Sequence, residues 1–77
     1  MPEDRPCYTV TPERINDPEL GAYDTFGITC QAAGQSLCIR DISTNLGRVA
    51  ALADRCNRNG LAAEHFRDVV EDMLAEW

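Results

Sequence analysis

The chain contains no lysine: all seven of its basic residues are arginine. It has one histidine and one tryptophan, and no pair of cysteines in Cys-x-x-Cys spacing. Each scarcity removes a class of function. Seven bases against thirteen acids give a net charge of −6, the opposite of the basic stripe a free nucleic-acid binder needs to neutralise phosphates. Arginine without lysine fits either a GC-rich coding sequence or selection for bidentate pairing with carboxylates. The missing Cys-x-x-Cys removes the usual zinc-knuckle pattern. The five glycines are scattered, so no loop can cradle phosphate, and no Ser-His-Asp set or acid–base carboxylate pair stands out. No apolar run approaches the ~18 residues of a membrane span, and the opening Met-Pro-Glu-Asp-Arg-Pro has no apolar stretch behind it, so no signal peptide is expected. A cytosolic location follows, with thiols kept reduced.

Seventy-seven residues make one domain. A chain this short buries only about 60% of its unfolded surface, with a stability of roughly 4–12 kcal/mol. A thin core leaves little room for a deep catalytic pocket, so a shallow groove or an exposed face is the expected working surface. Residues 1–6, polar with two prolines, read as a flexible tail, and residues 7–77 as the domain.

Cys7 to Thr11 alternates and is rich in strand formers, with Pro12 expected to end it. Residues 12–21, with two prolines, Asn16, Asp17 and Gly21, read as a connection with room for a single turn around Glu13–Ile15. Tyr23 to Ala32 has the period of a half-buried antiparallel strand: Phe26, Ile28, Cys30 and Ala32 on one face, Thr25, Gly27, Thr29 and Gln31 on the other. Ala33-Gly34 turns the chain and Ser36 to Ile42 returns. With those two residues as the loop, Ile28 faces Ile39 and Cys30 faces Leu37, whereas a one-residue slip sets Ile28 against Arg40.

Ser43 or Thr44 is the expected cap of a first helix whose apolar face is Leu46, Val49, Ala50, Ala53 and Cys56. Arg55 and Arg58 suit its last turn, and Gly60 suits a left-handed cap. A second helix runs from about Ala62 to Glu76, with Ala62, Phe66, Val69, Val70, Met73, Leu74 and Trp77 as its stripe. Ala62 is a weak cap, and Asp72 and Glu76 oppose the dipole. The fold these segments define is α+β: a three-stranded antiparallel sheet followed by a helical hairpin packed on one face, βββαα.

Three groups of residues are candidates for chemistry or binding. Glu64, Asp68, Glu71 and Asp72 fall on the polar side of the second helix and form the best partner-binding candidate, a docking face for a basic protein surface or a mimic of the phosphate backbone. Two plainer readings stand beside it: a solvated helix face, or acids paired internally with Arg48, Arg55 and Arg58, worth about 0–1 kcal/mol each. The thiols Cys7, Cys30, Cys38 and Cys56 with His65 form the second group. Cys30 and Cys56 lie on core faces and read as small apolar filler. Cys38, set beside Thr29 on the other face, is the thiol most open to reaction. His65 at the stripe's edge can neighbour Asp68, and a Cys56–His65 pair would have to form across the hairpin. Trp77, the third, is expected to pack rather than to anchor a partner.

The pattern resembles a small family of short bacterial proteins known only as a domain of unknown function. The resemblance rests on Tyr8-x-Val10, Tyr23-x-Thr25-Phe26-Gly27-Ile28, Asp41-Ile42-Ser43-Thr44, Cys56-Asn57-Arg58 and His65-x-x-Asp68-Val69-Val70-Glu71-Asp72, and runs from Tyr8 to about Ala75. The chain departs from it at Ala62-Ala63, where a capping residue followed by proline is more typical. The resemblance implies a soluble intracellular domain and carries no activity, cofactor or catalytic residue.

The first functional reading is a non-enzymatic, acidic interaction or regulatory module with no cofactor, an inhibitor that docks on the basic groove of a nucleic-acid-binding partner without touching nucleic acid or membrane itself. Small acidic proteins of mobile elements, including inhibitors of CRISPR effectors, are similar in charge and size. The alternative is a thiol- or metal-dependent redox or zinc-binding protein using Cys7, Cys30, Cys38, Cys56 and His65. A third reading is a homodimer formed through a strand edge or through a sheet face bearing Thr25, Thr29, Cys38 and Ile42.

Overall fold

The computed structural model describes residues 6–32 and 34–77. The expected tail at residues 1–6 therefore lies outside the described residues except for Pro6, as does Ala33 of the expected turn. The chain forms three antiparallel strands, β1 (Cys7–Asp17), β2 (Gly21–Ala32) and β3 (Gln35–Ser43), in the order β1-β2-β3. The helix α1 (Leu46–Arg58), a 3-10 turn (Ala63–His65) and the helix α2 (Phe66–Glu76) follow, completing the βββαα order expected from the sequence.

Pro12 does not end the first strand. β1 continues to Asp17, pairing Pro12 with Phe26 and Asp17 with Gly21. It is an edge strand, so half of its N–H groups have no ladder partner to lose, and proline is tolerated there. The expected connection at 12–21 is instead the far half of a hairpin, and the expected turn at Glu13–Ile15 is strand. Its tip is closed by Asp17, whose Oδ1 accepts from the backbone N of Glu19 at 2.7 Å and of Leu20 at 3.0 Å. Those two N–H donors, Leu20's first, hold the Asp17 carboxyl below its ordinary pKa. Gly21 supplies the positive φ (81°) that leaves the turn.

The second hairpin has the register that apolar pairing requires: Ile28 opposite Ile39 and Cys30 opposite Leu37. Beyond Ile28 the ladder breaks. Phe26 next pairs with Ser43, so one residue of β2 (Gly27) faces three of β3 (Arg40, Asp41 and Ile42). Asp41 sits at φ 54°, left-handed backbone rarely adopted by non-glycine residues. The bulge turns Ile42 into the core, off the open sheet face where alternation placed it, and it covers Thr25, which stays opposite Glu13 on the open face yet is completely buried. Thr25 Oγ1 donates to Asp41 Oδ1 at 2.7 Å and approaches the Ser43 carbonyl at 3.2 Å. Gly27 is buried too, because the Ile39–Arg40 backbone occupies the space of a side chain. On the open face the Arg40 guanidinium crosses β2 to pair with Glu13 on β1, Nε lying 3.1 Å from Oε1.

Asn45, not Ser43 or Thr44, caps α1, its Oδ1 accepting from Arg48 N at 3.1 Å, while Ser43 Oγ accepts from Asn45 N at 3.0 Å. The helix buries Val49, Leu52, Ala53 and Cys56, while Leu46 and Ala50 of the expected face are exposed. It ends in a Schellman arrangement: Gly60 at φ 61°, Gly60 N donating to Asn57 O at 3.2 Å and Leu61 N to Cys56 O at 3.1 Å. Phe66 and Val70 of α2 reach the core, Val69, Met73 and Trp77 pack around it, and Ala62 and Leu74 of the expected stripe are exposed. Each fully buried Val, Ile or Phe side chain contributes about 1.5–3 kcal/mol.

At the centre stands Tyr8, nearly inaccessible, with its ring edge-to-face on Phe66 at 5.1 Å. Its hydroxyl donates to the Leu61 carbonyl at 2.6 Å. Its backbone N donates to Asn57 Oδ1 at 2.8 Å, and its carbonyl accepts from Asn57 Nδ2 at 2.8 Å. The carboxamide of Asn57 thus takes the place of a neighbouring strand at the start of the β1 edge.

Candidate functional site

The 3-10 turn and α2 present Glu64, Asp68, Glu71 and Asp72, all four exposed. Five acids and a single arginine lie between Leu61 and Trp77, so this segment carries −4 of the chain's −6. The arginines of α1 do not neutralise it. Arg58 pairs with Asp54 of its own helix at 3.1 Å, and Arg48 lies over the Trp77 ring at 5.7 Å. Arg55 borders a cleft of about 180 Å³ between the helices, with Leu52, Cys56, Leu61, Val69 and Met73. Among the described residues, the only basic side chain within ion-pair reach of the four carboxylates is His65, whose Nε2 lies 3.6 Å from Glu64 Oε2. His65 is exposed and pairs with Glu64 rather than with the expected Asp68. Trp77 packs partly buried against the core.

Four free thiols fall into two pairs by environment. Cys7 and Cys38 are exposed, and Cys30 and Cys56 are buried. Burial pushes the Cys56 thiol above its ordinary 9.0; the nearby Arg55 pulls the other way and Cys30 adds to the rise. Tyr8 is pushed far above the usual phenol value, first by burial and then by the neighbouring Cys30 thiol. Burial thus favours the neutral form of Cys56, whereas an attacking thiol needs thiolate. Among the described residues no three His, Cys, Asp or Glu side chains converge where they could hold a metal ion, and no helix is long and apolar enough to cross a membrane.

A second groove, of about 280 Å³, runs along the outer edge of β3 against the start of α2. Leu37, Ile39, Ala63 and Phe66 form its apolar part, Glu64, Arg67 and Asp68 its polar wall. Neither this groove nor the Asn57–Tyr8 contact was visible in the sequence. Both join segments far apart in the chain, and the only cue, the recurrence of Cys56-Asn57-Arg58 and Tyr8-x-Val10 in the resemblance, does not say that they meet.

Fold and surface together define a small α+β domain of βββαα order with an acidic helical side and a thin, nearly all-apolar core. Within that class, residues 3–76 match the model of a family described as a family of unknown function (DUF6514), and the chain belongs to that family. No curated protein and no solved structure matches it.

Proposed function

We propose that the protein is a non-enzymatic interaction or regulatory module that works in the cytosol. Its acidic side, Glu64, Asp68, Glu71 and Asp72, docks on the basic surface of a protein partner. The observation carrying this reading is that four carboxylates share one exposed side while Arg58 and Arg48 of α1 are engaged elsewhere, with Asp54 and over the Trp77 ring. Unpaired carboxylates of one sign raise the local potential, steer a basic partner and suppress acidic ones. A groove built to hold nucleic-acid phosphates is the basic surface such a spacing suits, so the sharp form of the proposal is an inhibitor of a nucleic-acid-binding protein.

Reversing three charges at once, Glu64→Arg, Asp68→Arg and Glu71→Arg, tests it. These side chains are exposed, so the variant should keep its fold by circular dichroism. A stoichiometric partner captured from nuclease-treated lysate by the wild type, released by high salt and absent with the variant, supports the proposal. A partner retained by the folded variant overturns it.

A further inference from the structure

The two edges of the sheet are treated differently. β1 is blunted twice: the Asn57 carboxamide occupies the backbone groups of Tyr8, and Pro12 interrupts the run of donors. β3 has no such protection from Gln35 to Arg40. It contains no proline, and among the described residues no hydrogen bond from outside the sheet reaches its backbone there. Alternate residues of a strand at the edge turn their N–H and C=O groups outward, where they accept a further strand. Leu37, 48% exposed, stands on that edge, and the start of α2 runs alongside it.

We infer that the β3 edge and the start of α2 form a strand-addition groove for an extended segment of a partner protein, with a basic residue at every second position. This rests on the acidic-docking reading and supplies its geometry. In an added strand, alternate side chains point to the helix side of the sheet. There they cross the apolar floor of Leu37, Ile39 and Ala63 before reaching Glu64 and Asp68. An arginine or lysine matches that sequence of surfaces: its aliphatic stem covers the floor and its charged head meets the carboxylates. Arg67, on the same wall, lowers the negative charge of the rim without cancelling its two acids. The main chain supplies affinity and the alternate pockets supply specificity, as in other strand-addition sites. A second copy of β3 is the poorer occupant, because it brings another chain of net charge −6 and another acidic α2 to the same place.

The test uses a seven-residue peptide alternating arginine and valine, and a block peptide of the same composition with its arginines contiguous. Binding is read by fluorescence anisotropy at low and moderate salt, and amide hydrogen exchange is followed on the protein. The alternating peptide is expected to bind more tightly than the block peptide, to slow exchange in Gln35–Arg40, and to lose roughly tenfold in affinity with Leu37→Asp. Glu64→Arg with Asp68→Arg should weaken it at least as much. Equal binding of both peptides without protection of β3 overturns strand addition and leaves the acidic docking face standing. No binding of either peptide, with no salt-sensitive partner in the capture experiment, overturns both. Protection of β3 that grows with protein concentration alone, accompanied by a dimer mass, overturns the basic-segment proposal in favour of self-pairing.

Discussion

Gly27 is the residue whose replacement the fold should tolerate least. A Cβ there would overlap the Ile39 carbonyl oxygen and stand 2.9 Å from the Arg40 Cα, both backbone atoms with little freedom to retreat. Gly27→Ala should therefore cost about 1–3 kcal/mol or more, read as a lower urea midpoint with unchanged m-value. At the thiols the expectation is a division rather than a loss. A thiol reagent added to the native protein should label Cys7 and Cys38 quickly, and Cys30 and Cys56 only as fast as the fold opens. Cys56 has a pH signature as well. Because the folded Cys56 thiol titrates above its unfolded value of 9.0, the fold holds a proton the unfolded chain has released. That contribution to stability is complete below pH 9.0 and is lost as pH rises past it, with Tyr8 adding to the fall above its unfolded value of 10.0. Urea midpoints at about pH 8 and about pH 10 should show the decline, and Cys56→Ala should lessen it.

Among the elements, the two helices differ in how they start. Asn45 caps α1 with a side-chain hydrogen bond, whereas the helical turn after Ala62 has no side-chain cap. Ala62→Asp should supply the missing acceptor and a charge favourable at that end, raising stability by about 0.5–1 kcal/mol, visible as a higher Tm. The weak cap at Ala62 was legible from composition alone, as was the register of β2 against β3, since only one alignment sets apolar residues opposite apolar ones. The reach of β1 was not, because proline excludes a central strand and not an edge one, and edge position depends on the other strands. The phase change at Asp41 was hidden for a similar reason. A bulge breaks the alternation by which strand faces are read, so Ile42 was assigned to the wrong surface and the burial of Thr25 on its own face was not foreseen. Leu52 was missed as a core residue because the face was centred one step too far toward Ala50. The acidic residues of α2 were legible as a polar helix side, but their lack of arginine partners depends on where α1 lies.

The molecule as a whole measures 49 × 26 × 18 Å. The pairing of β3 with β2 stops at Phe26, so Gly21–Thr25 has only β1 beside it, and the Leu20 tip is 77% exposed. A two-stranded ribbon has little stability of its own. Amides of Arg14–Asp17 and Gly21–Asp24 should exchange with solvent well before those of Tyr8, Ile28 and Cys30, a difference that hydrogen exchange followed by NMR resolves residue by residue. Charge is divided on the same scale: α1 has three arginines and one aspartate, and the segment after it is strongly acidic. The charge is thus divided across the helical layer, positive on α1 and negative after it.

Every strand in this sheet pairs with its neighbour in sequence, so both hairpins can form from nearby residues alone. The hydrogen bonds of Tyr8 to Asn57 and Leu61 are different, closing loops of 49 and 53 residues. Closing such loops costs more chain entropy than forming a hairpin, and these contacts hold only once α1 has been laid on the sheet. The Asn57 carboxamide therefore acts as a latch that engages late. Asn57→Ala should leave the refolding rate nearly unchanged and speed unfolding, which stopped-flow chevrons would separate. A latch of this kind governs how long the native state lasts more than how quickly it is reached.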